Sequence, residues 1–414
     1  MGTLFLSADG KPQKRRTILN KTGHSGKNLQ PSNVSHGLIA ERWTQWERKG
    51  MKTVLPLADG SCSAGDDFLR ERRGTTKGLK SRAQASVALY VLPEYRDLVF
   101  SPTLVSEIGE IAGSPAVWVD PGQSFLGRQI LKEAEILFCS WGTPRMDAPF
   151  LDALPNLKAV FYAAGAPGYF LTREFFDRGV TVTCAQAANA IPVIEFSTSV
   201  ILLSLKRVWA CMRETHQSRS WNKPERIVAG AYHSTVGLVS LGAIGRGVAK
   251  TLAGHDLKVL AYDPFVTERQ AEECGAELVS LERLFSESDV VSLHAPLMPA
   301  TTGLIGADLL DRMKMRATLV NTARGAIVRQ AEMCEVLRRR PDLSAVLDVT
   351  DPEPPEFDSP LWDLPNVFLT PHSSGSLGGE CLRMARFMVD EFRRYACGIP
   401  LLHQVTRGDW QKMV

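Results

Sequence analysis

The run Val236-Gly237-Leu238-Val239-Ser240-Leu241-Gly242-Ala243-Ile244-Gly245 limits what this chain can fold into more than any other stretch. Its apolar residues are nearly continuous, as in a strand covered on both faces, and they break into a tight turn followed by the helical stretch Arg246 to Leu252. A second apolar run, Leu257 to Tyr262, ends at Asp263, 18 residues beyond Gly245. Strand, glycine turn, helix, strand and terminal acid together form the fingerprint of a dinucleotide-binding βαβ unit. Backbone amides of Gly242, Ala243, Ile244 and Gly245 at the helix start can hold a pyrophosphate, and the Asp263 carboxylate can accept hydrogen bonds from ribose hydroxyls. Asp263 favours NAD over NADP, because a 2′-phosphate would meet a like charge and Pro264-Phe265 bring no arginine to neutralise it. One position departs from the pattern: Ser240 stands where the first glycine belongs, and only glycine is indifferent to the sign of φ.

The rest of the chain repeats the same rhythm. Short apolar runs at Ser86 to Val91, Ala116 to Val119, Ile136 to Cys139, Ala159 to Tyr162 and Val180 to Thr183 alternate with helical stretches, which predicts a small α/β domain over residues 85–187. Ala190 to Trp209 reads as a long apolar helix of the right length to pass between domains. A second α/β domain follows over residues 188–373. Its predicted strands are Thr235 to Leu241, Leu257 to Tyr262, Val290 to His294, Thr318 to Thr322, Ser344 to Val349 and Val367 to Leu369. A final amphipathic helix, Leu377 to Ala396, is placed to return to the first domain. Residues 405–414 read as a tail.

Composition excludes several classes. The 414 residues are 44% hydrophobic, enough for two cores, and no stretch offers the roughly 18 uninterrupted apolar residues of a membrane span. Eight scattered cysteines form no Cys-x-x-Cys pair and do not cluster with histidine, so the expectation is a reduced cytoplasmic protein without a metal. Residues 1–84 hold 16 Lys/Arg against 7 Asp/Glu in a chain whose total is only +3, so the basic character belongs to this segment. Its Gly, Ser, Asn and Thr content reads as a solvated, disordered extension with neither a nucleic acid nor a membrane as partner. Its start lacks the Ser or Thr of a myristoylation signal at position six and any apolar secretory core. The six Lys/Arg and one acid of residues 1–35 suit a mitochondrial presequence, but the glycines and prolines there argue against an amphipathic helix.

Three residues carry the chemistry. Arg324 in Asn321-Thr322-Ala323-Arg324-Gly325, Glu353 in Asp351-Pro352-Glu353-Pro354 and His372 in Thr370-Pro371-His372 each lie just past an apolar strand run. A guanidinium grips a carboxylate with two charge-assisted hydrogen bonds, an imidazole delivers a proton near neutral pH, and a carboxylate favours the charged imidazole. These are the parts needed to reduce a 2-keto acid.

With these features in view the chain resembles the D-isomer-specific 2-hydroxyacid dehydrogenases, the family of glyoxylate, hydroxypyruvate and phosphoglycerate dehydrogenases. The likeness runs from about Val87 to Leu402 and is carried by Val236 to Gly245, Leu293-His294-Ala295-Pro296-Leu297, Val320 to Gly325, Leu347-Asp348-Val349 with Pro352-Glu353-Pro354, and Leu361-Trp362 through Thr370-Pro371-His372. It implies a Rossmann cofactor domain inserted in a smaller flavodoxin-like α/β substrate domain, completed by residues 374–404, with a cleft at the junction and a homodimer as the working unit. Carried over residue by residue, it makes Arg324 the carboxylate binder, Glu353 the histidine partner and His372 the general acid. It also sets His294, Ala295, Pro296, Thr322 and Ala323 along NAD, and Asp348 near the nicotinamide carboxamide. Asn189 and Glu195 match the helix at the domain junction, where Phe196 replaces a frequent histidine. The substrate loop departs: Ala164-Gly165-Ala166-Pro167-Gly168 stands where many members carry Gly-Val-Gly-Val-Asp.

The implied activity is hydride transfer between NAD(H) and a small 2-keto or 2-hydroxy acid. Some proteins of this fold act instead as NAD-responsive scaffolds or corepressors, and that is the alternative reading. Formate dehydrogenase shares the architecture, but Ser373-Ser374 follow His372 in place of its glutamine-histidine pairing. Only 42 residues follow His372, so no C-terminal regulatory domain like that of long phosphoglycerate dehydrogenases is expected.

Overall fold

In the computed structural model of the protein the described residues are 84–120, 125–221 and 230–411. The basic extension read at residues 1–84 therefore lies outside the described residues but for Gln84. All of the described residues fall within one compact unit, Lys80–Val414.

Two parallel sheets organise it. The first contains β1 (Val87–Tyr90), β2 (Ala116–Val119), β3 (Ile136–Cys139), β4 (Ala159–Tyr162) and β5 (Thr181–Cys184) in the order β2-β1-β3-β4-β5. The second contains β6 (Ser234–Val239), β7 (Leu257–Tyr262), β8 (Glu277–Leu278), β9 (Val290–Leu293), β10 (Thr318–Asn321), β11 (Ser344–Leu347) and β12 (Val367–Leu369) in the order β12-β11-β10-β9-β6-β7-β8. Strand order reverses between β1 and β3 in the first sheet and between β6 and β9 in the second, the two places where open α/β sheets leave a crevice at the carboxyl ends of their strands. The predicted strands are present, shifted by a residue or two at their ends, and β8 is added. Two residues, one of them Glu277, are too few to show a period.

Each sheet is apolar on both faces. Leu89, Phe138 and Phe161 enter one core of the first sheet, while Ala88, Leu137, Val160 and Tyr162 enter the other, because successive strand residues point to opposite faces. Among the longer helices are α1 (Pro102–Ala112), α2 (Gln186–Leu205), α3 (Val208–Ser218), α4 (Ala243–Leu252) and α5 (Cys381–Cys397). By length and composition α2 could cross a bilayer, but 56% of its apolar window is buried within the protein.

Helix α5 returns the chain to the first sheet. Phe138 and Phe161 stack with ring centroids 5.1 Å apart, and Phe392 of α5 meets Phe161 edge-on at 5.2 Å. Polar contacts fix the same return. Glu107 of α1 accepts two hydrogen bonds from Arg386, at 2.7 and 2.8 Å, and a further one from Arg393. Buried Glu391 accepts the backbone amides of Leu402 and His403, both at 3.0 Å. Beyond them Val405 donates to the Val182 carbonyl, and Trp410 packs on Phe176 at 5.4 Å. Residues 405–414, read as a tail, thus include a packed element, the short helix Arg407–Gln411.

The Arg386 hydrogen bonds, helped by Arg393 and opposed by partial burial, hold the Glu107 carboxyl at about 2, below its ordinary 4.5. A carboxyl lowered in the folded state stabilises fully above its ordinary value and loses that contribution as pH falls toward the folded value. Glu107→Gln should therefore flatten the loss of stability between about pH 4.5 and pH 2 in chemical denaturation. Parallel profiles for variant and wild type would show that this pairing does not hold α5.

Candidate active site

The chemistry-bearing residues leave the second sheet at one edge. Arg324 follows β10, Asp348 directly follows β11, Glu353 lies in the loop beyond it, and His372 follows β12. These three strands are neighbours and parallel, so their carboxyl ends deliver the three loops side by side. Gly325 shows how tightly the loops are pressed together: a Cβ there would lie 2.0 Å from the Thr350 carbonyl carbon.

His372 and Glu353 meet directly, with Nδ1 2.6 Å from Oε1 and both side chains about half exposed. A carboxylate only accepts, so Nδ1 donates and Nε2 is left for a substrate oxygen. Arg324 is exposed, and its Nη1 donates to the Ala323 carbonyl at 2.7 Å. No carboxylate among the described residues pairs with it, so its remaining donors can take an anion. Asn321 shapes this loop by donating to the Arg324 carbonyl and accepting from the Ala323 amide, each at 3.0 Å.

Asp348, which the resemblance sets near the nicotinamide carboxamide, is tied to the turn after β12. It is 2% exposed. Its Oδ1 accepts Thr370 Oγ1 at 2.5 Å and the Ser373 amide at 2.8 Å, and its Oδ2 accepts the Ser374 amide at 2.9 Å. The His372 amide donates to the Asp348 carbonyl at 3.0 Å. Asp348 therefore grips the turn that carries His372. His372 itself has φ +50°, a left-handed conformation that a non-glycine residue keeps only where its surroundings impose it. Burial pushes the Asp348 carboxyl up, but hydrogen bonds from Ser374, Thr370 and Ser373 outweigh it, and the net shift is downward. The carboxylate stays ionised and the clamp stays closed.

Two residues of the expected cofactor lining are buried. Thr322 is buried with its hydroxyl 2.8 Å from Ser197 Oγ of α2, so it ties the β10 loop to that helix. The His294 side chain is buried beneath the fingerprint turn, close to Gly245, and its Nε2 has no partner. Burial lowers its pKa to about 4, so it is neutral at pH 7. Ala295 is buried as well and only Pro296 of that trio is exposed. Ala323 is 9% exposed.

In the substrate loop Ala164 is fully buried, Gly165 half-buried and Ala166 exposed, so Ala164 has no side-chain surface to offer. Asn189 on α2 links this loop to the catalytic turn. Its side chain lies against Gly165 and Gly375, and its Oδ1 accepts the Ser376 amide at 3.0 Å. The first sheet's loop and His372 thus face a common region through one side chain. Thr370, Ser373 and Ser374 were not read as functional. Their run of hydroxyls beside Thr-Pro-His was the available signal, but only the fold shows which acid it serves.

The residues of the second crevice fit a dinucleotide. Gly242 precedes α4, and no side chain caps that helix, so the first amides of α4 are left for an external acceptor. A Cβ on Gly242 would meet nothing nearer than Ser240 Oγ at 3.9 Å, leaving room on the turn, whereas a Cβ on Gly245 would lie 2.1 Å from the Ser240 carbonyl oxygen. Asp263 stands at the end of β7 as expected. Among the described residues no group of three or more His, Cys, Asp or Glu has the arrangement of a metal site.

Comparison with known proteins identifies the family. Residues 199–374 match the family described as D-isomer specific 2-hydroxyacid dehydrogenase, NAD binding domain. A D-3-phosphoglycerate dehydrogenase of Archaeoglobus fulgidus is 31% identical over 262 residues, which are 63% of this chain and 50% of that relative, so the match spans half of that protein's length. A glyoxylate reductase of Korarchaeum cryptofilum is 32% identical over 62% of this chain and 78% of its own length. The NAD-complexed D-isomer specific 2-hydroxyacid dehydrogenase of Lactobacillus delbrueckii ssp. bulgaricus shares the fold, with a TM-score of 0.64 at 21% identity, over 77% of this chain and 100% of that one. By its sequence, its two crevices and the order of its motifs, the chain belongs to the D-isomer specific 2-hydroxyacid dehydrogenases.

Proposed function

We propose that the protein reduces a 2-keto acid to a D-2-hydroxy acid with NADH, and runs the reverse oxidation. The observation that carries this reading is the 2.6 Å pair of His372 and Glu353 beside an arginine with no carboxylate partner among the described residues, at the carboxyl edge of a dinucleotide-binding sheet. Bound NADH would supply the hydride that reaches the keto carbon. Arg324 holds the substrate carboxylate and polarises the adjacent carbonyl through its free donors. Nε2 of His372 delivers a proton to the carbonyl oxygen, while Glu353 stabilises the charge that the imidazole carries before transfer. Asp348 keeps the imidazole in place, and Asn189 keeps the substrate loop against the same turn. Asp263 selects the ribose diol of NAD over a 2′-phosphate.

The working unit we propose is a homodimer. Its support is an apolar groove of about 690 Å³ between α2, α3 and β12, lined by Phe196, Trp209, Met212 and Phe368 among others. Scattering in solution should give twice the 45.5 kDa of one chain.

The direct test is NADH consumption against glyoxylate, hydroxypyruvate, pyruvate and bulkier 2-keto acids. Fast turnover with at least one is expected; tight NADH binding without turnover on any would favour the scaffold reading instead. His372→Ala should lower kcat by about 10²- to 10⁴-fold and leave the Kd for NADH unchanged. Wild-type turnover in that variant would remove His372 from the mechanism. Asp348→Asn cannot accept from all of its present donors, so the His372 turn loosens. A fall in kcat of about 10²-fold with unaltered NADH affinity is expected, and full kcat would show that the clamp is dispensable.

A further inference from the structure

Ser240 stands where the fingerprint calls for glycine, and the fold places it at φ +79°, in the region that glycine enters freely. A side chain there strains the backbone, and such strain persists where something else is gained. Its hydroxyl shows what. Ser240 Oγ donates to Asp263 Oδ2 at 3.2 Å, and the Leu241 amide donates to the same oxygen at 2.8 Å. The Phe265 amide takes Oδ1 at 2.9 Å. Oδ2 is thus filled by two donors, whereas Oδ1 has one and retains a single acceptor position. The Ser240 amide is itself anchored to the Tyr262 carbonyl at 2.7 Å, so the tether starts from a fixed point.

We infer that Ser240 is a positioning residue for dinucleotide selection: its hydroxyl locks the Asp263 carboxylate so that the one open acceptor meets a ribose hydroxyl and the charge cannot turn away from a 2′-phosphate. Glycine, the residue of the usual motif, would relieve the backbone but leave Oδ2 with the Leu241 amide alone, a second open acceptor and a looser carboxylate. The preference for NADH therefore depends on a pair of residues, Ser240 and Asp263, and not on the acid alone. This inference rests on the dinucleotide site proposed above.

Equilibrium fluorescence titration of the full chain with NADH and with NADPH tests it on wild type, Ser240→Gly and Ser240→Ala. Both variants should bind NADH about fivefold or more weakly with NADPH affinity unchanged or improved, the size expected for one lost hydrogen bond to a charged group. Ser240→Gly should not lower Tm, because it removes the strain, whereas Ser240→Ala keeps the strain and should. An unchanged NADH-to-NADPH ratio in both variants overturns the inference. So does a ratio lowered by alanine but not by glycine, which would assign the effect to backbone strain. Failure of the wild type to bind either dinucleotide would reject the site itself, and that outcome is distinct from failure of the tether.

Discussion

The clamp that Asp348 places on the turn after β12 is the interaction on which the site depends. A half-exposed histidine on a loop has many orientations, and proton transfer needs one of them. Hydrogen bonds from Thr370, His372, Ser373 and Ser374 converge on this one aspartate, through its carboxylate and its own carbonyl. They hold His372 in a left-handed conformation that it would leave if released. Because the acid is buried and its lone pairs are met by amides and a hydroxyl, its charge is stabilised where an unpartnered carboxylate would be neutralised. The clamp is thus an electrostatic device in a rigid place, the carboxyl end of a strand paired on both sides.

Around it the fold solves a problem of convergence. The proposed chemistry needs hydride donor, proton donor and carboxylate binder to meet, although they belong to segments far apart in sequence. Parallel strands β10, β11 and β12 bring Arg324, Glu353 and His372 to one edge, and the reversal between β6 and β9 opens the cofactor crevice at the same edge. The first sheet contributes its loop through Asn189. Its own stability depends on the end of the chain, since α5 and Val405 complete its cores.

Much of this was legible in the residues. Continuous apolar runs of Val, Leu and Ala revealed the strands of both sheets because parallel strands are covered on both faces, and polarity cannot alternate there. Arg324, Glu353 and His372 were legible because each follows such a run and because charged groups at strand ends have no structural reason to recur in that order. What stayed hidden depends on direction. Nothing in Leu-Asp-Val says that Asp348 turns toward Ser373 and Ser374, nor does Asn-Thr-Ala say that Thr322 faces Ser197. Burial of His294 beneath the fingerprint turn is likewise a tertiary fact. The departure at Ser240 gains a role only through its hydroxyl on Asp263, a contact the motif alone does not show.

The central claim is that this edge of the sheet carries hydride from a nicotinamide to a keto carbon with a defined hand. It is tested most directly by turnover with NADH deuterated at both C4 positions, followed by mass and chiral analysis of the product. The account requires deuterium at C2 of a D-2-hydroxy acid. An unlabelled product, or the L enantiomer, would contradict it.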